Sequence, residues 1–240
     1  MRIAIVSDIH GNLTALEAVV ADLRLVAPDM VLHGGDLAHG GASPAEVVDR
    51  VKELGWEGVR GNTDEVLWFP ESLQNVAANA PGMANLFRVI EEMRVWTCEK
   101  IGEARIVWLK GMPMVQRCGE LALVHASPND TWRSPGGDAT EGELRDAFGE
   151  LHARLVAYGH IHQPYVREVA EWTVANTGSV SLSYDGDTRA SYAVVDGSRV
   201  EIRRVAYDLD MEVEAMRRAG LPHGTWVAAC LRAGKFVPPE

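Results

Sequence analysis

The beginning of the chain has the pattern of a strand, a helix and a second strand. Residues 2 to 7 and 29 to 34 are short apolar runs rich in β-branched residues. Between them, apolar residues recur at the spacing of one helix face, at Leu13, Leu16, Val20, Leu23 and Ala27. A helix that joins two strands covered on both faces is a βαβ unit, so this pattern predicts an α/β fold with a parallel or mixed sheet.

Further helix signals follow this unit. The stretch "SPAEVVDRVKELGWEG" contains a cap residue, a first-turn proline, a residue completing a capping box and a stop: Ser43, Pro44, Glu46 and Gly55. Helices are also predicted near residues 83–94 and 141–153, with the apolar runs "ARIVWLKG" and "LALVHA" between them. For the first helix, Asn12 is one candidate cap, and Thr14 with Glu17 is an alternative capping box.

The second half of the chain is predicted to be rich in strands. Its short β-branched segments are "LVAYG", "YVREV", "TVAN", "ASYAVV" and "RVEIRRVAY", and "VDGSRV" has the composition of a hairpin turn. Helical spacing returns after Tyr207. Because no repeat, low-complexity tract or proline-rich linker interrupts the chain, we expect residues 1–240 to form one domain with two sheets and outer helices.

Composition limits the kinds of partner and compartment. The net charge of -11 disfavours long nucleic acid as a partner, because it repels a polyanion at long range. The three cysteines are widely spaced and form no CxxC pair, which indicates neither a disulfide framework nor a thiolate zinc site and favours the cytoplasm. No apolar run reaches the roughly 18 residues of a membrane span, and no signal-peptide core precedes Asp8.

Polar residues follow five of the apolar runs, at the point where each predicted strand ends. They are Asp8, His10, Asp36, Asn62, His125, His160 and His162. Taken singly, a glycine beside such a residue can simply shape a turn, and a histidine can be structural. Taken together, they indicate ligands gathered along one sheet edge, because the carboxyl ends of parallel strands meet there.

The order of these motifs resembles that of the calcineurin-like metallophosphoesterases. The motifs are "SDIHGN", "GGDLAHGG", "RGNTDE", "LVHASPND" and "GHIHQPY". Beyond them, "ANTGSVS" and "RVAYDLD" followed by "AGLP" resemble the small phosphodiesterase branch of bacteria and archaea. The resemblance covers nearly the whole chain. It implies a four-layer α/β/β/α sandwich of two mixed sheets flanked by helices.

This resemblance also implies a dinuclear metal centre. One metal would be held by Asp8, His10, Asp36 and His162. The second would be held by Asp36, Asn62, His125 and His160, with Asp36 bridging the two. Catalytic roles would fall to Asp36, Asn62 and His125, and a metal-bridging hydroxide would attack a small phosphodiester or nucleotide. Mixed imidazole and oxygen ligands suit divalent Mn, Fe, Zn, Co or Ni, and Mn is favoured.

One motif departs from the family pattern at Thr63, where many relatives carry a histidine. A threonine hydroxyl is not a general acid near neutral pH, so His39 or Asp64 is an alternative proton donor. Arg60 is a candidate phosphate contact, with an ion pair to a nearby carboxylate as the alternative. A catalytically weak or inactive protein-interaction module, like the retromer subunit of this fold, is the second hypothesis. The enzyme is favoured because a scaffold has no need to gather unpaired Asp and His side chains.

Two further residues are interpreted by position. Trp68 follows Asp64 by four residues and is a candidate pocket wall for a nucleobase or aryl leaving group, whereas the other tryptophans are interpreted as packing residues. His33 lies in a predicted strand and is interpreted as structural. The expected partner is a small phosphate-ester substrate, and the sequence does not predict the oligomeric state.

Overall fold

The structure is a computed structural model that describes residues 1–239. Its first sheet contains the strands β1 (Arg2–Val6), β2 (Met30–His33), β3 (Glu57–Gly58), β9 (Ala190–Asp196) and β10 (Arg199–Val205). The second sheet contains β4 (Val115–Cys118), β5 (Leu121–Val124), β6 (Leu155–Tyr158), β7 (Tyr165–Val169) and β8 (Trp172–Asn176). The strand orders are β10-β9-β1-β2-β3 and β4-β5-β6-β8-β7, and each sheet has parallel and antiparallel pairs.

Helices lie outside both sheets. They are α1 (Leu13–Val26), α2 (Pro44–Glu53), α3 (Asn62–Glu65), α4 (Glu71–Ala78), α5 (Ala84–Ile101), α6 (Glu103–Lys110), α7 (Glu141–Phe148), α8 (Leu209–Ala219) and α9 (Gly224–Ala233). Short 3-10 turns lie at Pro81–Met83 and Gly149–Leu151. No helix among the described residues is both long and apolar enough to cross a bilayer.

The layers follow from the alternation of side chains along the strands. Ile3 and Ile5 of β1 pack with Leu121 and Leu123 of β5 in a core between the two sheets. The intervening residues of β1 pack against α1 and α2 on the opposite face, and a third core joins β5 and β6 to α7. Helix, sheet, sheet and helix therefore form the predicted α/β/β/α sandwich of two mixed sheets. The assignment of residues 1–240 to one domain stays a prediction.

The local signals of the first two helices gave mixed results. Asn12 is the cap of α1, because its Oδ1 accepts a hydrogen bond of 2.9 Å from the backbone N of Ala15. Thr14 instead donates its hydroxyl to Glu212, so the alternative box at Thr14 is absent. The box predicted at Ser43 is wrong as well, since the Ser43 side chain makes no capping bond. Pro44 does begin α2.

Several elements differ from the prediction in length or type. The hairpin at "VDGSRV" is confirmed, because Asp196 pairs with Arg199 across a two-residue turn. The predicted helix near 83–94 is longer, spanning Ala84–Ile101, and the run "ARIVWLKG" lies in α6. Leu109 of α6 is fully buried in the core beneath the first sheet. A short apolar run fits a strand or a buried helix face equally well, and here the tertiary contact decides.

His33 is a buried histidine at the end of β2. It is fully buried, and neither ring nitrogen has a hydrogen-bond partner among the described residues. Its ring centroid lies 6.3 Å from that of Trp108. This buried environment agrees with the interpretation of His33 as a structural residue. Burial also lowers the pKa of His33 from 6.5 to about 4.

The buried His33 ring predicts a specific acid sensitivity. Below pH 6.5 the unfolded chain binds a proton at this residue, whereas the folded chain does so only near pH 4. Burial of the neutral His33 ring therefore costs no stability through protonation above pH 6.5, and this cost to the free energy of unfolding grows as the pH falls towards 4. When the pH is lowered from 7 to 4.5, the free energy of unfolding should fall in both proteins. We expect this fall to be about 2 kcal/mol smaller in His33→Leu than in the unchanged protein. Urea denaturation of both proteins in EDTA measures this difference, and equal losses would contradict it.

Candidate metal centre

The seven polar residues predicted at strand ends meet at one edge of the molecule. Each follows a strand of the first or second sheet: Asp8 and His10 after β1, Asp36 after β2, Asn62 after β3 as the first residue of α3, His125 after β5, and His160 and His162 after β6. Six of the seven are buried, and His160 is half-buried. The two sheets therefore supply this site jointly.

Three side chains with short mutual distances form one group around Asp8. The Nε2 atom of His162 lies 3.1 Å from Oδ1 of Asp8 and 3.2 Å from Nε2 of His10. Oδ2 of Asp36 lies 3.6 Å from Nε2 of His10. Asp8, His10 and His162 could hold a single metal ion, because their ligand atoms lie within 4.8 Å of one another.

A second group lies on the other side of Asp36. Oδ1 of Asn62 lies 2.9 Å from Nε2 of His125 and 3.0 Å from Nδ1 of His160. The other carboxylate oxygen of Asp36, Oδ1, lies 3.6 Å from Nε2 of His125. The carboxylate of Asp36 thus faces both groups, one oxygen towards each.

Hydrogen bonds to the backbone fix how three of the imidazoles face the site. Nδ1 of His10 donates to the carbonyl of His39 at 2.7 Å, and Nδ1 of His162 donates to that of Leu182 at 2.6 Å. Nδ1 of His125 donates to the carbonyl of Gly34 at 2.7 Å. A carbonyl can only accept, so each Nδ1 carries a proton and each Nε2 faces the site. This is the arrangement that metal-ligating histidines use to present Nε2.

Charge at the site is compatible with cation binding. Burial lowers the pKa of His10, which favours the neutral imidazole with a free lone pair on Nε2. Burial alone would raise the pKa of Asp8, but His162, His125 and His10 surround this carboxylate and hold its pKa below the usual value. Burial therefore favours a neutral imidazole at His10 beside the ionised carboxylate of Asp8, and these are the protonation states that a divalent metal requires of its ligands. At His125 burial acts in the same direction, but the charges of Asp36 and Asp8 outweigh it and raise the pKa.

The backbone of the site is unusual. Five of the seven residues have a positive φ, between 51° and 68°, although none is a glycine: Asp8, His10, Asp36, His160 and His162. This left-handed conformation is unfavourable for residues with a Cβ atom and persists where the surrounding structure imposes it. Such conformations concentrate at functional sites. The turns that carry these side chains are consequently held by the fold around them.

Asp64 is a positioning residue. Its carboxylate accepts hydrogen bonds from the backbone N atoms of Asp36, Leu37 and Gly61, at 2.8, 2.9 and 3.1 Å. Burial and the charge of the nearby Asp36 together raise the pKa of Asp64 to about 6. Both carboxylate oxygens accept hydrogen bonds from backbone donors, and these bonds hold the turn of Asp36. The alternative role of Asp64 as a proton donor stays a prediction.

The other three proton-donor or substrate candidates differ in position. His39 lines the cavity beside the site, and its Nε2 donates to the carbonyl of Ile90, while burial lowers its pKa to about 4. Arg60 does not line the cavity, because its Nε donates to the carbonyl of Met112 at 2.8 Å. Thr63 does line it, and its Oγ1 is buried without a partner among the described residues.

A cavity of about 380 Å³ opens onto both groups. Its polar side includes His10, Asp36, Asn62, His160 and His162, and its other side is formed mainly by apolar residues of α5 and α9. Trp68 is absent from this lining, since it packs against the core beneath the first sheet. Trp226 lines the cavity instead. Its position in an amphipathic helix gave no signal that distinguishes it from a packing residue.

Comparison with protein families assigns the chain to a superfamily. Residues 1–199 match the family model of the calcineurin-like phosphoesterase superfamily domain. The chain belongs to the calcineurin-like phosphoesterase superfamily. The four-layer fold and the gathered Asp, Asn and His side chains of this phosphoesterase domain agree with that assignment.

Relatives resemble this calcineurin-like phosphoesterase over nearly its full length. An uncharacterized protein of Methanocaldococcus jannaschii is 27% identical over 97% of this chain and 98% of its own. The crystal structure of a metallophosphoesterase from Sphaerobacter thermophilus is 28% identical, covers 98% of this chain and 99% of its own, and has a TM-score of 0.77. A hypothetical protein from Pyrococcus horikoshii, at 18% identity with coverages of 98% and 99%, has a TM-score of 0.82 and shares the fold.

Proposed function

We propose that this protein is a dinuclear metal-dependent phosphoesterase that hydrolyses small phosphate esters, and diesters more readily than monoesters. The observation that carries the proposal is the position of Asp36, whose two carboxylate oxygens face two separate groups of ligand atoms. A carboxylate shared between two cations is the arrangement that a two-metal phosphoester hydrolase requires.

The residues fit a pair of divalent transition-metal ions. Nε2 of His10 and Nε2 of His162 lie 3.2 Å apart, and their Nδ1 protons are already donated to carbonyl oxygens. Two facing lone pairs repel each other, and a cation between them removes this repulsion.

The seven candidate ligands divide between two ions. One ion would be held by Asp8, His10, Asp36 and His162, and the other would be held by Asp36, Asn62, His125 and His160. When bound, such ions lower the pKa of water and polarise phosphoryl oxygens. The nitrogen and oxygen donors of these side chains favour divalent Mn, Fe, Zn, Co or Ni, and we propose Mn.

The protein's own residues would position the ester. Thr63 lines the cavity, and its hydroxyl oxygen is buried without a partner among the described residues, so we propose that a rotation about its Cα–Cβ bond brings it to the phosphoryl group or the departing oxygen. None of the described residues that line the cavity is Lys or Arg. A diester carries one negative charge whereas a monoester carries nearly two at neutral pH, so the smaller charge suits a cavity whose only cations would be the two metals.

The surface charge and the cysteines support the remaining parts of the proposal. A net charge of -11 disfavours long nucleic acid, so we propose a small substrate. All three cysteines are free, which agrees with the reducing cytoplasm as the compartment.

Metal analysis and a simple assay test the proposed function. We expect the purified protein to bind two equivalents of Mn and to hydrolyse bis-nitrophenyl phosphate faster than nitrophenyl phosphate. Tight metal binding with no turnover of either ester would contradict the proposal and favour a protein-interaction module. Faster turnover of the monoester would contradict the preference for diesters alone.

The departure at Thr63 predicts a leaving-group effect. Thr63→His places an imidazole at the cavity, where it can donate a proton to a poor leaving group such as an alkyl alcohol. A nitrophenyl group leaves without this help. We expect the ratio of activity on an alkyl leaving group to activity on a nitrophenyl leaving group to rise about tenfold, or roughly 1.4 kcal/mol. Steady-state rates of the two proteins at equal metal content measure it.

The ratio of the two activities is insensitive to changes in folding or metal loading, because such changes would alter both rates by the same factor. An unchanged ratio at full metal content would show that Thr63 does not occupy the place of a proton donor. A conservative Thr63→Ser control keeps the hydroxyl, so we expect it to retain the ratio of the unchanged protein.

A further inference from the structure

The side of the cavity that faces the candidate metal centre is formed largely by apolar side chains. The 3-10 turn and α5 contribute Met83, Leu86, Ile90 and Met93, and the carboxyl-terminal part contributes Trp226, Val227 and Phe236. Leu182 completes this surface, which we call the apolar wall. One end of a bound molecule would therefore contact ligands for metal, and its other end would contact hydrocarbon.

A series of aromatic rings connects the candidate metal ligands with the apolar wall. The ring of Tyr184 stacks on that of His162, with centroids 4.7 Å apart and an interplanar angle of 22°. Phe236 lies edge-on to Tyr184 at 6.1 Å and to Trp226 at 6.4 Å. Nε1 of Trp226 donates to the carbonyl of Val237 at 2.6 Å, which holds the chain around Phe236 against α9. The wall is thus fixed by contacts independent of any ligand.

Part of this wall is open to water. Met83 and Phe236 are 46% and 39% exposed, although most large apolar side chains of the protein are buried. Exposed apolar side chains at the mouth of a cavity are covered favourably by an apolar ligand. The cavity, at about 380 Å³, also lies in the size range of small-molecule sites.

The lining offers little to a polar alcohol. A second phosphate group would require a cation, and the described lining residues include neither Lys nor Arg. The hydroxyls of a ribose placed against Ile90, Val227 and Phe236 would lose their hydrogen bonds to water without gaining new ones. Among the other polar lining residues, Thr63 adjoins the candidate ligand Asn62, His39 already donates its Nε2 proton to the carbonyl of Ile90, and Tyr184 stacks on His162.

We propose that the apolar wall selects esters with a single phosphate group whose alcohol part is an aromatic ring or a branched alkyl group. This inference rests on the proposed function, because the polar end of the cavity has to bind the phosphoryl group. It excludes nucleoside polyphosphates and sugar phosphates as preferred substrates.

Binding of phosphonates to the manganese-loaded protein tests the wall without requiring turnover. Methylphosphonate and phenylphosphonate share one headgroup and differ in the apolar part, and thymidine monophosphate supplies a polar alcohol. We expect phenylphosphonate to bind at least about tenfold more tightly than either of the other two, because only its ring is buried against the wall. Competition with hydrolysis of bis-nitrophenyl phosphate, or calorimetry, measures the three dissociation constants.

A substitution in the apolar wall tests whether the preference for phenylphosphonate arises there. Phe236→Ser removes a partly exposed ring, so folding is not threatened, and we expect the preference for phenylphosphonate over methylphosphonate to fall to less than about threefold while methylphosphonate binds as before. Val107→Ser is the matched control, since Val107 is an exposed apolar residue of α6 outside the cavity and should keep the full preference.

The outcomes separate this inference from the proposed function. Turnover of the aryl diester with equal affinities for phenylphosphonate and methylphosphonate, or with tighter binding of thymidine monophosphate, would overturn the inference and leave the phosphoesterase intact. Loss of the preference in Val107→Ser as well as in Phe236→Ser would also overturn it. Absence of turnover at full metal content would contradict the proposed function and the inference with it.

Discussion

Replacing Asp36 with asparagine is expected to lower kcat/KM by at least about 10³-fold while the chain remains folded. Oδ2 of Asp36 lies 3.6 Å from Nε2 of His10, and Oδ1 lies 3.6 Å from Nε2 of His125, so one carboxylate serves both groups. A neutral amide offers one oxygen and no negative charge, and cannot bridge two cations. We also expect the bound metal to fall below two equivalents.

Asp49→Asn is the matched control for this change. Asp49 is a carboxylate on α2 that pairs with Arg105 away from the site, and its replacement should leave metal content and kcat/KM within about twofold of the original. Circular dichroism and thermal unfolding of both variants check the fold. Two equivalents of metal with unchanged turnover in Asp36→Asn would refute the bridging role.

A methyl group at Gly61 is expected to lower activity strongly without removing any candidate ligand. A Cβ atom built at this glycine would overlap Oδ1 of Asp36 and lie 2.7 Å from its Cγ atom. Gly61→Ala therefore has to displace either the carboxylate or the loop after β3. Because a displacement of about 1 Å can cost on the order of 10²-fold in rate, we expect kcat/KM to fall by at least that factor.

Gly149→Ala provides the control for Gly61→Ala. The φ of Gly149 is -60°, and a Cβ atom there would meet nothing within 4 Å. This variant should keep full activity and two equivalents of metal, measured by elemental analysis of dialysed protein. Normal activity in Gly61→Ala would mean that the carboxylate of Asp36 can move without consequence, in contradiction to its proposed position.

The positions of the candidate ligands could be predicted because they depend on strand ends. Asp8 follows a strand that any periodicity analysis finds, and Asp36 follows the next one, so their proximity requires only that the two strands be parallel neighbours. His125 and His160 also follow predicted strands, but these strands belong to the second sheet. No local signal places two sheets against each other, so this convergence depends on the whole fold.

The apolar wall could not be predicted for a related reason. Trp226 and Ile90 lie on helices whose apolar faces look the same in sequence whether they cover a core or a cavity. Trp68 and Arg60 are near a candidate ligand in sequence, and both side chains are engaged elsewhere. Proximity along the chain was therefore an inconsistent guide to the lining, because it held for His39 and Thr63 but not for Trp68 and Arg60. Strand ends succeeded for the candidate ligands.

One part of the apolar wall comes from a stretch of the chain that contains no candidate metal ligand. Every candidate metal ligand precedes Gln163, whereas Trp226, Val227 and Phe236 follow α8. Substitutions in this last stretch can reshape the space offered to an alcohol without altering a single metal-binding side chain. Homologues that keep the same chemistry are therefore free to diverge in substrate by changing a short carboxyl-terminal segment, and this segment is the first place to randomise when new ester specificities are sought by directed evolution.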